Sequence, residues 1–216
     1  MDALPTELHA YICQTACIDD GTTIRALSGV SRYYHEVSRP FLYQNVSAFG
    51  VNQVMDLLEQ LERLPAQMRL IRYLFLSDVS SEETKSDPES PHAPQPSRLT
   101  DKQTQALARI ISLSSSTLKS FSLVAHSPLS STSLIARVFR TSFPHLQSLS
   151  ISGFYPFPSS VGKFPSLKHL HLSGNRNPHG LLHMCALEET FPALATLAIT
   201  GLGAAGGFVI ELEEAL

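Results

Sequence analysis

Histidine, cysteine and glycine are the residues in this chain whose types and spacing suggest chemistry. His179 and His183 lie four apart, one helical turn, with Cys185 close behind, and His169 and His171 precede them on a segment with strand alternation. A zinc site needs three or four such ligands converging with fixed tautomers. Nothing else in the spacing enforces that convergence, so the pattern reads as surface histidines around a core cysteine. Gly201-Leu202-Gly203-Ala204-Ala205-Gly206 has the GxGxxG form, after the strand-like Leu194 to Thr200 and before the helix-like Phe208 to Leu216. A dinucleotide site also needs a second strand and an acidic residue about 20 positions on. The sequence ends before either, so a nucleotide-binding enzyme using Gly201 to Gly206 is only a remote alternative to a glycine-rich turn.

No Gly-x-Ser-x-Gly, His-Glu-x-x-His or phosphate-binding Gly-Lys-Ser/Thr occurs, so catalytic residues, metal ligands and cofactors are all assigned as none. Cys13 and Cys17 share a helix face, where small apolar packing is the simpler role. Three cysteines are an odd number, and no apolar run is long enough for a signal peptide or a membrane span. Those features predict a reducing compartment, cytoplasmic or nuclear. The net charge is −3 with no dense Lys/Arg run, which argues against nucleic acid and anionic membrane and favours protein partners.

The elements around these residues fall into three stretches. Residues 1–47 carry helix signals without strand alternation: Pro5 at a helix start, Glu7 in the first turn, Leu8, Ile12 and Cys13 near one face, and a break at Asp19-Asp20-Gly21. A second helix is predicted after Thr22 with Ile24, Leu27 and Val30, and a third from Ser31 with Tyr34 and Val37, ending at Pro40. So few residues bury little apolar surface by themselves, which predicts that another surface covers part of them. Residues 48–66 form an amphipathic bridging helix, with Val51, Val54, Met55, Leu58, Leu61 and Leu64 in helical spacing and Pro65 as its stop.

Residues 67–216 contain one template five times: Ile71-x-x-Leu74-x-Leu76, Leu118-x-x-Phe121-x-Leu123, Leu146-x-x-Leu149-x-Ile151, Leu167-x-x-Leu170-x-Leu172 and Leu194-x-x-Leu197-x-Ile199. Their first positions lie 47, 28, 21 and 27 residues apart, and the last three gaps suit leucine-rich repeats. The long first gap holds Ser77 to Arg98, 22 residues with six Ser, four Pro and five acids, a solvated insertion. Period-two alternation sends residues between the leucines to the opposite face. Tyr73, Phe75, His169 and His171 are therefore the candidate substrate-binding residues, among Ser and Thr neighbours.

The N-terminal run resembles an F-box. The residues that carry the likeness are Leu4-Pro5-Thr6-Glu7-Leu8, Ile12, Ile24-Arg25-Ala26-Leu27 and Val30-Ser31-Arg32-Tyr33-Tyr34-His35-Glu36-Val37-Ser38-Arg39-Pro40. Tyr34 stands where that family often has Trp. The resemblance implies binding of a Skp-type adaptor through Leu4, Pro5, Leu8, Ile12, Leu27, Val30, Tyr34 and Val37, and through it a cullin scaffold. The repeats resemble the irregular leucine-rich repeats that often follow an F-box, which implies a protein substrate. The expected fold is α+β: a small all-helical F-box module followed by an irregular α/β leucine-rich-repeat solenoid. The expected role is a non-catalytic substrate receptor of a Skp–cullin–F-box ubiquitin ligase; the alternative is a repeat scaffold without a ligase role.

Overall fold

The computed structural model describes residues 4–16, 19, 21–78, 101–125, 128–153, 162–174 and 187–201. Three short helices come first: α1 (Thr6–Ala16), α2 (Thr22–Ser28) and α3 (Arg32–Ser38). Each start has a local cause. The Pro5 carbonyl accepts from Leu8 and His9 N–H at 3.0 and 3.3 Å, while Ser31 Oγ caps α3 by accepting from Tyr34 N–H at 3.2 Å. Asp19 serves α2: its carboxylate accepts from Thr23 N–H at 2.9 Å and from the Thr22 and Thr23 hydroxyls at 2.7 and 2.6 Å. Gly21 joins cap to helix with φ +89°, a conformation that glycine adopts without Cβ strain.

The rest alternates strands with helices: β1 (Asn45–Phe49), α4 (Gly50–Arg63), β2 (Tyr73–Ser77), α5 (Asp101–Ser114), β3 (Ser120–Val124), α6 (Pro128–Arg140), β4 (Ser148–Ser152), β5 (His169–Ser173), α7 (Leu187–Thr190) and β6 (Thr196–Thr200). All six strands form one parallel sheet in the order β1-β2-β3-β4-β5-β6. This corrects the α+β expectation of an F-box module followed by an irregular solenoid. The molecule is an α/β fold built on one continuous sheet, whose first strand begins inside the stretch read as purely helical. The cause is Tyr43-x-x-Val46-x-Ala48, which places Val46 and Ala48 in register with Leu74 and Leu76 and so extends the inward-facing rows by one strand.

One core serves the sheet and its helices. Leu74, Leu76, Phe121, Leu123, Leu149, Ile151, Leu170 and Leu172 are buried, and helical side chains including Val54, Leu57, Leu61, Leu107, Ile110, Ile111, Leu134, Ile135 and Val138 pack in the same cluster. Helix α4, the expected bridge, thus contributes to the sheet's own core. It stops at Leu64, which is extended because Pro65 follows. Beneath the strand starts Phe121, Phe143, Phe164 and Phe191 form a row of rings with centroids 6.3, 5.6 and 5.3 Å apart. Glycines mark several strand ends; Gly153 takes φ +143° where a Cβ would sit 2.4 Å from the Ala125 carbonyl oxygen.

Helices α1 to α3 have a small separate core of Cys13, Ile24 and Phe41. The seam between it and the sheet is polar. Gln44 donates to the Gln14 carbonyl at 3.2 Å, the Asn45 amide donates to the Asp19 carbonyl, and Gln14, with its amide oxygen toward Arg72, accepts from both guanidinium nitrogens at 2.5 and 2.9 Å. No helix among the described residues is long and apolar enough to cross a membrane.

Candidate functional site

Helix α1 has two faces, and their contents decide what this end of the molecule offers. Its inner face carries His9 and Cys13, both buried. Burial pushes the Cys13 thiol above its usual range, since a thiolate loses solvation there. His9 Nδ1 lies 2.8 Å from the Tyr33 hydroxyl, and His9, Tyr33 and Tyr34 meet edge to face with centroids 5.5 to 5.7 Å apart. The outer face carries Leu8 and Ile12, continued by Leu4 just before the helix, each close to half exposed, with Tyr11 at 62%. Val30 and Tyr33 are also exposed, at 66% and 45%.

Of the residues that the F-box likeness assigns to adaptor binding, Leu4, Pro5, Leu8, Ile12 and Val30 are therefore at the surface. Leu27 and Val37 are half buried and pack against the Cys13, Ile24 and Phe41 cluster. Tyr34 is half buried and held in the aromatic trio. The internal roles of these three are core packing and ring contact, whichever partner the surface meets. Sequence reasoning passed over His9 and over Tyr33 as an exposed aromatic. Four-residue spacing puts His9 and Cys13 on one face, as it does Leu8 and Ile12, and so gave no signal of which pair is buried.

The open face of the sheet is the second surface. Strand register places Asn45, Tyr73, Ser120, Ser148, His169 and Thr196 in one row and Ser47, Phe75, Ser122, Ser150, His171 and Ala198 in the next. A third row runs Phe49, Ser77, Val124, Ser152, Ser173 and Thr200. All four candidate substrate residues thus share this face. No acidic residue occurs in the three rows, and hydroxyls dominate them. His171 reaches its neighbours on both sides, with Nδ1 3.4 Å from Ser150 Oγ and Nε2 3.5 Å from Thr200 Oγ1. Tyr73 is exposed at 38%, whereas Phe75 is half buried against Phe49 of β1, centroids 5.0 Å apart. That pair explains how one of two adjacent aromatics is covered: the unanticipated strand β1 supplies Phe49.

Among the described residues no group of three or more His, Cys, Asp or Glu side chains is placed to hold a metal ion. His179, His183 and Cys185 lie outside the described residues, as do Val79 to Arg98 of the expected insertion and Leu202 to Gly206 of the glycine-rich run. Gly201 is described, with φ +85°. No protein-family model matches the chain, and no curated protein matches it significantly.

Proposed function

We propose that this protein is a non-catalytic substrate receptor of a Skp–cullin–F-box ubiquitin ligase, with helix α1 docking a Skp-type adaptor and the open sheet face holding a protein substrate. The observation that carries the reading is the inversion of α1: Leu4, Leu8 and Ile12 face outward while His9 and Cys13 face the core. Exposed leucines and isoleucine in a regular stripe mark an interaction surface, because solvent does not reward them. Their positions coincide with the F-box-like run. A receptor of this kind supplies proximity, raising the local concentration of its target near a conjugating enzyme that does the chemistry.

The sheet face suits a protein partner for a different reason. Its hydroxyl rows, two imidazoles and the Tyr73 ring offer hydrogen bonds and one aromatic anchor over an area wider than a small-molecule pocket. The test is co-purification of the tagged chain with a Skp-type adaptor and cullin, followed by mass spectrometry of the captured proteins. Adaptor and cullin recovered in stoichiometric amounts support the reading; their absence with the folded protein recovered removes it.

A second reading, a partner-binding scaffold with no ligase role, is favoured by the polar seam. Gln14, Arg72, Gln44 and Asn45 fasten α1 to α3 over the start of β1 and β2, which is how a terminal cap keeps the end of a sheet out of water. Adaptor binding separates the two, since a cap alone binds none.

A further inference from the structure

Charge in this chain is segregated by element. The segments that lead into and form β2 to β6, residues 64–77, 115–125, 141–153, 162–174 and 191–201, contain no aspartate or glutamate. Among the described residues the acids lie on α1, α3, α4, α5 and α7, at Asp19 before α2 and at Asp78 after β2. The cations are placed the other way. The parallel ladder begins one residue before the strands: Arg72 N–H donates to the Gln44 carbonyl, Lys119 N–H to Arg72, Gln147 N–H to Lys119 and Lys168 N–H to Gln147, at 2.7 to 2.9 Å. Arg72, Lys119, Gln147 and Lys168 therefore stand side by side at the rim where β2, β3, β4 and β5 begin. The next row holds Tyr73, Ser120, Ser148 and His169. Every side chain in these two rows carries an N–H or O–H donor.

The positive charge of the rim is not neutralised within the molecule. Arg72 meets the uncharged Gln14 amide. Among the described residues neither it nor Lys119 nor Lys168 has an acid within ion-pair distance; the ion pairs join Arg63 to Glu59 and Arg109 to Glu62, all on helices. Lys168 is exposed and Lys119 half buried. A surface of one sign attracts partners of the other and turns away those of its own.

Spacing narrows the partner further. Neighbouring strands lie about 4.8 Å apart, so the step from β2 to β5 carries Lys168 about 14 Å from Arg72 along the rim. An extended chain rises about 3.4 Å per residue and turns alternate side chains to one face, so acids at positions i, i+2 and i+4 also cover about 14 Å. The outer two reach Arg72 and Lys168, and the middle one falls between Lys119 and Gln147. No Asp or Glu triplet of that spacing occurs in these 216 residues, so a second copy of this sequence does not supply the segment.

We propose that this rim takes an extended acidic segment of a protein substrate, laid across β2 to β5 with alternate Glu or Asp carboxylates on Arg72, Lys119 and Lys168. Gln147, Ser120, Ser148 and His169 add hydrogen bonds beside them. The assignment rests on the open sheet face being the substrate surface, and it is independent of the ligase role.

The test uses the intact protein and a fluorescein-labelled Gly/Ser peptide with three Glu at alternate positions, measured by anisotropy at low salt. Binding should fall at least about tenfold when the three Glu become Gln, and about threefold when they are made consecutive and span only half the rim. Lys119→Glu combined with Lys168→Glu should also lose at least about tenfold, whereas Lys119→Arg with Lys168→Arg keeps binding. Carbodiimide should couple the peptide to Lys119 and Lys168. The Gln peptide uses the unaltered protein, so the test survives a charge-reversed variant that fails to fold. Absence of binding by the Glu peptide overturns the proposal, as does equal binding of the Gln peptide or coupling directed to Lys102 of α5. Tight binding of a phosphoserine peptide where the Glu peptide fails overturns it too, and assigns the rim to phosphate. Recovery of adaptor and cullin is read separately, so failure of the ligase reading and failure of this assignment are told apart.

Discussion

Substituting Leu8 separates docking from folding, because Leu8 is the third residue of α1 and 48% exposed. Full burial of a leucine side chain stabilises by roughly 1.5–3 kcal/mol, so a partner that covers the exposed half gains about 1 kcal/mol from it. Leu8→Ala should therefore weaken adaptor binding about fivefold. Leu8→Asp adds the cost of taking a carboxylate out of water, about 3 kcal/mol or more even when partly relieved, and should weaken binding over about 100-fold. Folding responds differently. The lost packing of the buried half costs about 1 kcal/mol, offset by about 0.3–1 kcal/mol from placing a negative charge in the first helical turn. The melting temperature should then fall by less than about 4 °C. Titration calorimetry with recombinant adaptor, paired with thermal unfolding, checks both numbers. An affinity for Leu8→Asp within twofold of the unaltered chain refutes the docking surface, and unfolding of the variant refutes the claim that Leu8 is outside the core.

Three further outcomes are expected. Asp19 is held at a pKa of about 2, below the usual 3.8, first by the Thr23 hydroxyl and then by the Thr22 hydroxyl and Thr23 N–H; its contribution to stability is present above about pH 4 and lost as pH falls toward 2. Asp19→Asn should thus lower the melting temperature at pH 7, with the difference from the unaltered chain shrinking between pH 4 and pH 2 in melts across that range. Gly153→Ala puts a Cβ 2.4 Å from the Ala125 carbonyl oxygen at a φ of +143° and should cost about 1–3 kcal/mol in urea unfolding, a cost that a tolerated substitution would contradict. Replacing Tyr73, Phe75, His169 and His171 together by Ala should abolish substrate capture while adaptor binding stays unchanged; capture that survives in the folded variant moves the substrate surface off the sheet.

The strands β2 to β6 were legible because each template begins two residues before its strand: Ile71 before Tyr73, Leu118 before Ser120, Leu146 before Ser148, Leu167 before His169 and Leu194 before Thr196. Period-two alternation therefore placed His169 and His171 on one face with Tyr73 and Phe75. Strand β1 escaped the same reading because Tyr43, Val46 and Ala48 replace leucine at all three template positions and straddle the boundary between the stretch read as helical and the bridging helix. Its omission hid the Phe49 ring over Phe75 and the continuity of the sheet that overturns the two-part fold. Asp19 read as a helix breaker, whereas its four acceptor contacts make it the start of α2; a break and a cap are the same residue seen from opposite sides.

Helical spacing places Leu8, Ile12 and Cys13 near one face with His9 beside Cys13, but spacing alone does not say which side of that arc is inside. Hydrophobicity alone would turn the leucines inward, since an amphipathic helix buries its more apolar stripe. The structure does the reverse. The inner position is held by Cys13 and Ala10 packing on Ile24 and Phe41 and by contacts that hydropathy does not register: the hydrogen bond between His9 and the Tyr33 hydroxyl, the Gln14 carbonyl accepting from Gln44, and the Gln14 amide facing Arg72. These contacts hold α1 in one rotation against the sheet and leave its more apolar side in water. A helix that used its leucines for its own core would have no surface to offer, whereas one anchored by His9 and Gln14 keeps that stripe available. The Cys13 cluster and the polar seam together leave the stripe exposed, and the stripe is the reason to look for a partner.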